Sequence, residues 1–232
     1  MFTGLIEAMG TVVSRDAATD GVLTLVIDAG SWSHCRAGAG SVSPALGESI
    51  AIDGCCLTVA KLPDASSPHV LTFHVIPESL LRTTLGGLSV GSRVHLEASC
   101  TPTTLLGGHI VQGHVDGVGT VRKVITTGEW RITIAPPEDL MPYLVPKGSI
   151  TISGVSLTIA SINVAAGTFD VALIPTTLEK TTLATLEPGS RVNLECDVLA
   201  KTMVHWLRHY ASNFASNFAS SGGMLPQLAD KT

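Results

Sequence analysis

The chain is short of charge and without long apolar runs, and each shortage excludes something. Charged residues make up 14% of its 232 positions, with 14 Lys and Arg against 19 Asp and Glu. A formal net charge of −5 leaves no basic footprint for nucleic acid, so a neutral, polar ligand fits better. No window approaches the roughly eighteen consecutive apolar residues of a membrane span. The first residues, Met1 to Glu7, lack the basic and then apolar build of a secretory signal. The five cysteines, Cys35, Cys55, Cys56, Cys100 and Cys196, are odd in number and have no zinc-like spacing. These absences predict a reduced cytoplasmic protein with no membrane contact, no metal and no cofactor. Hydrophobic residues nevertheless reach 45%, which rules out a disordered chain and is ample for two cores.

What is present is a duplication. Gly54 Cys55 Cys56 Leu57 Thr58 Val59 returns as Gly154 Val155 Ser156 Leu157 Thr158 Ile159. Ile76 Pro77 Glu78 Ser79 Leu80 Leu81 Arg82 Thr83 Thr84 Leu85 returns as Ile174 Pro175 Thr176 Thr177 Leu178 Glu179 Lys180 Thr181 Thr182 Leu183. Gly91 Ser92 Arg93 Val94 His95 Leu96 Glu97 is answered by Gly189 Ser190 Arg191 Val192 Asn193 Leu194 Glu195. Each echo comes 98 to 100 residues after its original, too far apart for a solenoid unit and suited to tandem domains. The amino terminus repeats too, since Gly4 Leu5 Ile6 Glu7 matches Gly113 His114 Val115 Asp116.

Short segments of alternating apolar and polar residues recur six times per half, at 10–15, 22–28, 48–53, 56–62, 69–76 and 93–98, then 119–125, 130–135, 149–153, 156–162, 168–174 and 191–196. Period two bounded by glycine predicts half-buried strands. Strands without long helices predict an all-β chain of two small antiparallel barrels, 1–104 and 105–200, since closure removes exposed edges. The Pro77 and Pro175 phrases predict a turn or two of helix, with proline at the first position. The stretches 30–46 and 136–148 are irregular connections, the second with a short helix cut by Pro142. Met203, Leu207, Tyr210 and Phe214, spaced four, three and four, predict a helix over 201–216 that packs against other helices or back on its own barrel. The composition from Ala215 on predicts a frayed tail, taken as 217–232.

Where the halves join stands Gly107 Gly108 His109 Ile110 Val111 Gln112 Gly113 His114. A linker histidine has no evident packing role, and two histidines five apart without a third ligand do not make a metal site. In order and in duplicate, these motifs, with Met1 Phe2 Thr3 Gly4 and Lys147 Gly148, resemble riboflavin synthase over about residues 1 to 215. The resemblance implies six-stranded Greek-key barrels, a homotrimer built by the C-terminal helix, and a transferase reaction. In that reaction two 6,7-dimethyl-8-ribityllumazine molecules exchange a four-carbon unit, giving riboflavin and 5-amino-6-(ribitylamino)uracil. The rival reading is a non-catalytic lumazine or flavin carrier on the same barrels.

Carried over by position, Gly4, Leu5, Ile6, Ser49, Cys56, Leu57, Thr58, His74, Val75, Ile76, Pro77, Glu78 and Ser79 line the N-barrel pocket. Gly108, His109, Ile110, Lys147, Ser156, Leu157, Thr158, Ile174, Pro175, Thr176, Thr177, Leu178 and Glu179 line the C-barrel pocket. Thr176 stands where the first copy has Glu78, so contact there falls to the backbone and Thr177. The resemblance makes His109 the candidate for proton transfer at near-neutral pH. Water, Ser49, Cys56 or Ser156 are candidate nucleophiles, although a cysteine in a strand is more often a small buried residue. Asp197 is expected to orient Ser156.

Overall fold

The computed structural model describes residues 1–17, 21–36, 40–61 and 69–220, with the backbone alone described in 34–36, 40–42 and 211–220. The first repeat closes six strands into a barrel: β1 (Ala8–Ala17), β2 (Leu23–Asp28), β5 (Ser49–Ile52), β6 (Cys55–Lys61), β7 (Val70–Val75) and β8 (Arg93–Ala98). Around the barrel they run β1-β2-β7-β6-β5-β8. The second repeat does the same with β9 (Gly117–Ile125), β10 (Trp130–Ala135), β11 (Ser149–Ile152), β12 (Val155–Asn163), β13 (Thr168–Leu173) and β14 (Arg191–Cys196). Three consecutive hairpin-joined strands with the last returning beside the first of them is Greek-key winding.

Alternation explains why these segments are strands. In β6, Cys55, Leu57 and Val59 are buried while Cys56 and Thr58 face outward, and β12 repeats the pattern with Val155, Leu157 and Ile159. Inward residues fill two separate cores, one around Leu25, Ile27, Ile50 and Phe73, the other around Ile132, Ile134, Ile150 and Phe169. Each such aliphatic side chain, fully buried, contributes about 1.5–3 kcal/mol. The barrels are therefore solid, and ligand clefts must lie on their outer faces.

The connection 30–46 is not wholly irregular, because it contains the small hairpin of β3 (His34–Arg36) and β4 (Gly40–Val42). Its counterpart holds a 3-10 helix, Glu138–Tyr143, with Pro142 inside. The proline phrases form α1 (Pro77–Arg82) and α2 (Pro175–Lys180), each with proline at the start. The terminal helix α3 runs Val198–Ser220, longer at both ends than the 201–216 read from spacing, so 217–220 is helix rather than tail; 221–232 lies outside the described residues. Among the described residues no helix is long and apolar enough to cross a membrane.

Candidate active site

The geometry starts from two tight turns. Ile52 pairs with Cys55 and Ile152 with Val155, leaving Asp53-Gly54 and Ser153-Gly154 as two-residue loops. All four residues have positive φ, between 45° and 84°, the conformation that right-twisted hairpins require. The turns meet tip to tip: a Cβ on Gly54 would lie 2.6 Å from the Gly154 nitrogen. The barrels thus face each other across a pseudo-twofold axis.

Beside that axis the two N-terminal segments change places. Residues 1–7 lead into β1, yet the Gly4 carbonyl accepts the Ser156 N–H at 2.7 Å and Ile6 packs into the second core. Residues 110–116 lead into β9, yet the Gly113 carbonyl accepts the Cys56 N–H at 2.8 Å and Val115 packs into the first core. Phe2 and Val111 form an antiparallel bridge where the segments cross.

Each outer face then carries a cleft. The first, of about 340 Å³, is lined by Cys55, Cys56, Glu78, Ser79, Arg82 and Thr83 from its own repeat and Gly113, His114, Val115 and Asp116 from the other. The second, of about 290 Å³, is lined by Val155, Ser156, Ile174, Thr176, Thr177, Lys180 and Thr181, with Gly4, Leu5 and Ile6 from the other. Gly4, Leu5 and Ile6 therefore stand at the second barrel, not at the first as position suggests. His114, Asp116, Arg82, Lys180 and Thr181 are lining residues that the motifs do not single out. The signal for the first two is the match of Gly113 to Gly4: if one copy lines a cleft, so does the other.

His109 and Ser156 come together as a pair, Nδ1 to Oγ at 2.8 Å. Burial holds the imidazole below its usual range, with the Asp197 charge opposing, so the neutral base prevails at neutral pH. Asp197 does not orient Ser156 by a hydrogen bond. Its Oδ1 accepts the Leu199 N–H at 2.8 Å and its carbonyl the Lys201 N–H, so it caps α3 and acts on His109 only through its charge.

Several expected contacts fall elsewhere. Leu57, Val75 and Leu157 point into the barrel cores, so only their backbones are available to a ligand, and Leu178 packs half-buried against the second core. Ser49 opens onto a separate cavity of about 450 Å³, with Ala45 to Glu48 and Ser99 to Thr101. It pairs with Thr58 across the hairpin as Ser149 does with Thr158. Thr58, Thr158, His74, Ile76, Pro77, Pro175, Lys147, Glu179, Gly108 and Ile110 are exposed but are not among the residues that line the two clefts. Val59 pairs with Phe73, which sets Thr58 beside His74 on the outer face. Among the described residues no cluster of His, Cys, Asp or Glu has metal-binding geometry.

A lumazine binding domain matches this chain twice, over residues 3–99 and 112–197. Over 211 residues the chain is 41% identical to the riboflavin synthase of Mycobacterium tuberculosis (strain ATCC 25618 / H37Rv), covering 90% of this chain and 98% of that protein. The chain belongs to the riboflavin synthase family. The riboflavin synthase of Photobacterium phosphoreum is 38% identical over 203 residues, covering 87% and 86% of the two chains. That of Bacillus amyloliquefaciens is 35% identical over 210 residues, covering 89% and 90%. Among solved structures, LumP complexed with riboflavin superposes with a TM-score of 0.69 at 26% identity, over 84% of this chain and 99% of that one. As a member of this family the chain carries one lumazine-binding repeat per barrel.

Proposed function

We propose that the chain converts two molecules of 6,7-dimethyl-8-ribityllumazine into riboflavin and 5-amino-6-(ribitylamino)uracil. The observation that carries this reading is a pair of equivalent clefts whose chemistry is unequal. Cys56 with His114 at one answers Ser156 with His109 at the other. A reaction in which one copy of a molecule gives four carbons and another takes them calls for two related sites with different roles. The lumazine ring is uncharged and flat with carbonyl and amide edges, suited to backbone groups and the Thr58 and Thr158 hydroxyls.

The C7 methyl of the lumazine that takes up the four carbons is acidic because its ring delocalises the carbanion, so a neutral imidazole suffices as base, and His109 takes that role. Addition at C7 of the second lumazine opens it, with water or the Ser156 or Cys56 side chain as nucleophile. Holding the two rings in register supplies the largest share of the rate enhancement. Neither cleft is enclosed, and a neighbouring chain's barrel would close it. The exposed stripe Leu199, Met203, Trp206, Leu207 and Tyr210 on α3 supports a homotrimer that brings the N-barrel of one chain to the C-barrel of the next. Free thiols at Cys55, Cys56, Cys100 and Cys196 suit a cytoplasmic setting.

The test is direct. Purified protein given the lumazine alone is expected to develop riboflavin absorbance. Bound lumazine that stays unchanged would replace this reading with a carrier.

A further inference from the structure

Each cleft is completed by a segment belonging to the other repeat, and something must hold that segment in place. Behind each stands one buried glutamate at the same position of the last barrel strand. Glu97, 3% exposed, accepts three hydrogen bonds: the Thr3 N–H at 2.6 Å and hydroxyl at 2.8 Å on Oε1, and the Gly4 N–H at 3.0 Å on Oε2. Glu195, 2% exposed, accepts the Gln112 N–H at 2.8 Å on Oε1, and the Gly113 and His114 N–H groups at 3.0 and 3.1 Å on Oε2.

From Glu97 the connection runs through Gly4 to the Ser156 N–H, and Ser156 holds His109. From Glu195 it runs through Gly113 to the Cys56 N–H. We propose that Glu97 and Glu195 are crossed positioning residues: Glu97 on the first barrel shapes the ligand cleft of the second, and Glu195 on the second shapes that of the first. The proposal rests on the lumazine reading only for what the clefts bind.

The chemistry demands a carboxylate. Three donors converge on each side chain, and a carboxyl group can accept on both oxygens. A glutamine of the same shape would turn an N–H₂ toward one donor and leave a buried N–H unpaired. Gly4 and Gly113 have no slack, since a Cβ on either would lie within 2.6 and 2.7 Å of the Ser156 and Cys56 Cβ atoms respectively. Loosening a segment therefore changes the cleft wall itself.

The experiment uses full-length ¹⁵N-labelled protein and follows the Ser156 and Cys56 amides. Without ligand, Glu97→Gln is expected to speed hydrogen exchange at Ser156 by about tenfold or more while leaving Cys56 unchanged, and Glu195→Gln to do the reverse. With 6,7-dimethyl-8-ribityllumazine added, the apparent affinity read at the same amide should weaken by about tenfold in the same crossed pattern. Equal acceleration at both amides, or acceleration confined to the altered residue's own barrel, would overturn the proposal. Crossed exchange in a protein whose amides never respond to the lumazine would sustain the braces and refute the functional reading instead. If a glutamine variant does not fold, Thr3→Val, which removes the hydroxyl that donates to Glu97 and accepts the Leu5 N–H, and Glu195→Asp, which draws the carboxylate back by one methylene, should give the same crossed pattern.

Discussion

His95 and Asn193 occupy matching places in the two repeats and join the barrels with different chemistry. His95 is fully buried, its Nδ1 on the Ser153 carbonyl at 2.7 Å and its Nε2 accepting the Thr182 N–H at 2.9 Å. Asn193 reaches the opposite way: its Nδ2 donates to the Asp53 carbonyl at 2.8 Å and its Oδ1 accepts the Thr84 N–H at 2.7 Å. Both ends of each side chain are satisfied, as burial requires. Nearby carboxyls feel that burial. It pushes Glu97 and Glu195 up to about 7 against the pull of their N–H donors, and raises Asp53 against the pull of His95. The folded chain then keeps protons that the unfolded chain releases above the ordinary carboxylate value of 4.5, so stability falls as pH rises from there to about 7. His109, lowered by burial, acts in the opposite sense below 6.5, one group against three. Calorimetry should show a higher Tm near pH 5 than near pH 7.5, with a smaller difference in Glu97→Gln; a Tm climbing across that interval would contradict the assignment. For chemistry, His109→Ala should still bind the lumazine but turn it over about 100-fold more slowly. Turnover at the wild-type rate would remove the imidazole from the mechanism.

Hairpins and helices carry the next level of argument. The Asp53-Gly54 turn needs glycine twice over, for its φ of +79° and for the 2.6 Å approach to Gly154. Gly47 has the same φ of +79°, but a Cβ placed there would meet nothing within 4 Å, so it isolates the backbone cost alone. Gly47→Ala should cost about 1 kcal/mol and Gly54→Ala clearly more, read as denaturant midpoints; equal losses would mean that the barrels do not depend on this contact. The twelve barrel strands are legible because alternation is strong where one face is buried. The β3–β4 hairpin is not, since three-residue strands fall below any periodic window. Beyond Phe214 only Phe218 continues the apolar spacing, among alanine, serine and asparagine of tail-like composition, so the last turn of α3 reads as tail in the chain. Its start is hidden because Asp197 reads as a site residue, whereas its carboxylate caps the helix.

At the scale of the whole molecule, α3 is tied to the second barrel by Lys201, whose ammonium lies 2.9 and 3.0 Å from the Asp116 oxygens, and by Arg208 over the Tyr143 ring. Its apolar stripe remains uncovered, with Leu199, Met203 and Tyr210 each more than half exposed. Ending the chain after Lys201 keeps the ion pair and both barrels, and should give monomers with little turnover by sedimentation and riboflavin assay. A fully active monomer would refute a site shared between chains. The sequence by itself determined the two repeats, their strands and most outward-facing residues, because side-chain period and turn chemistry are local properties of the chain. Only the tertiary structure decided which barrel residues 1–7 and 110–116 complete. The repeats are so alike that either pairing offers the same donors and acceptors, and the choice depends on how closely two glycine turns let the barrels approach.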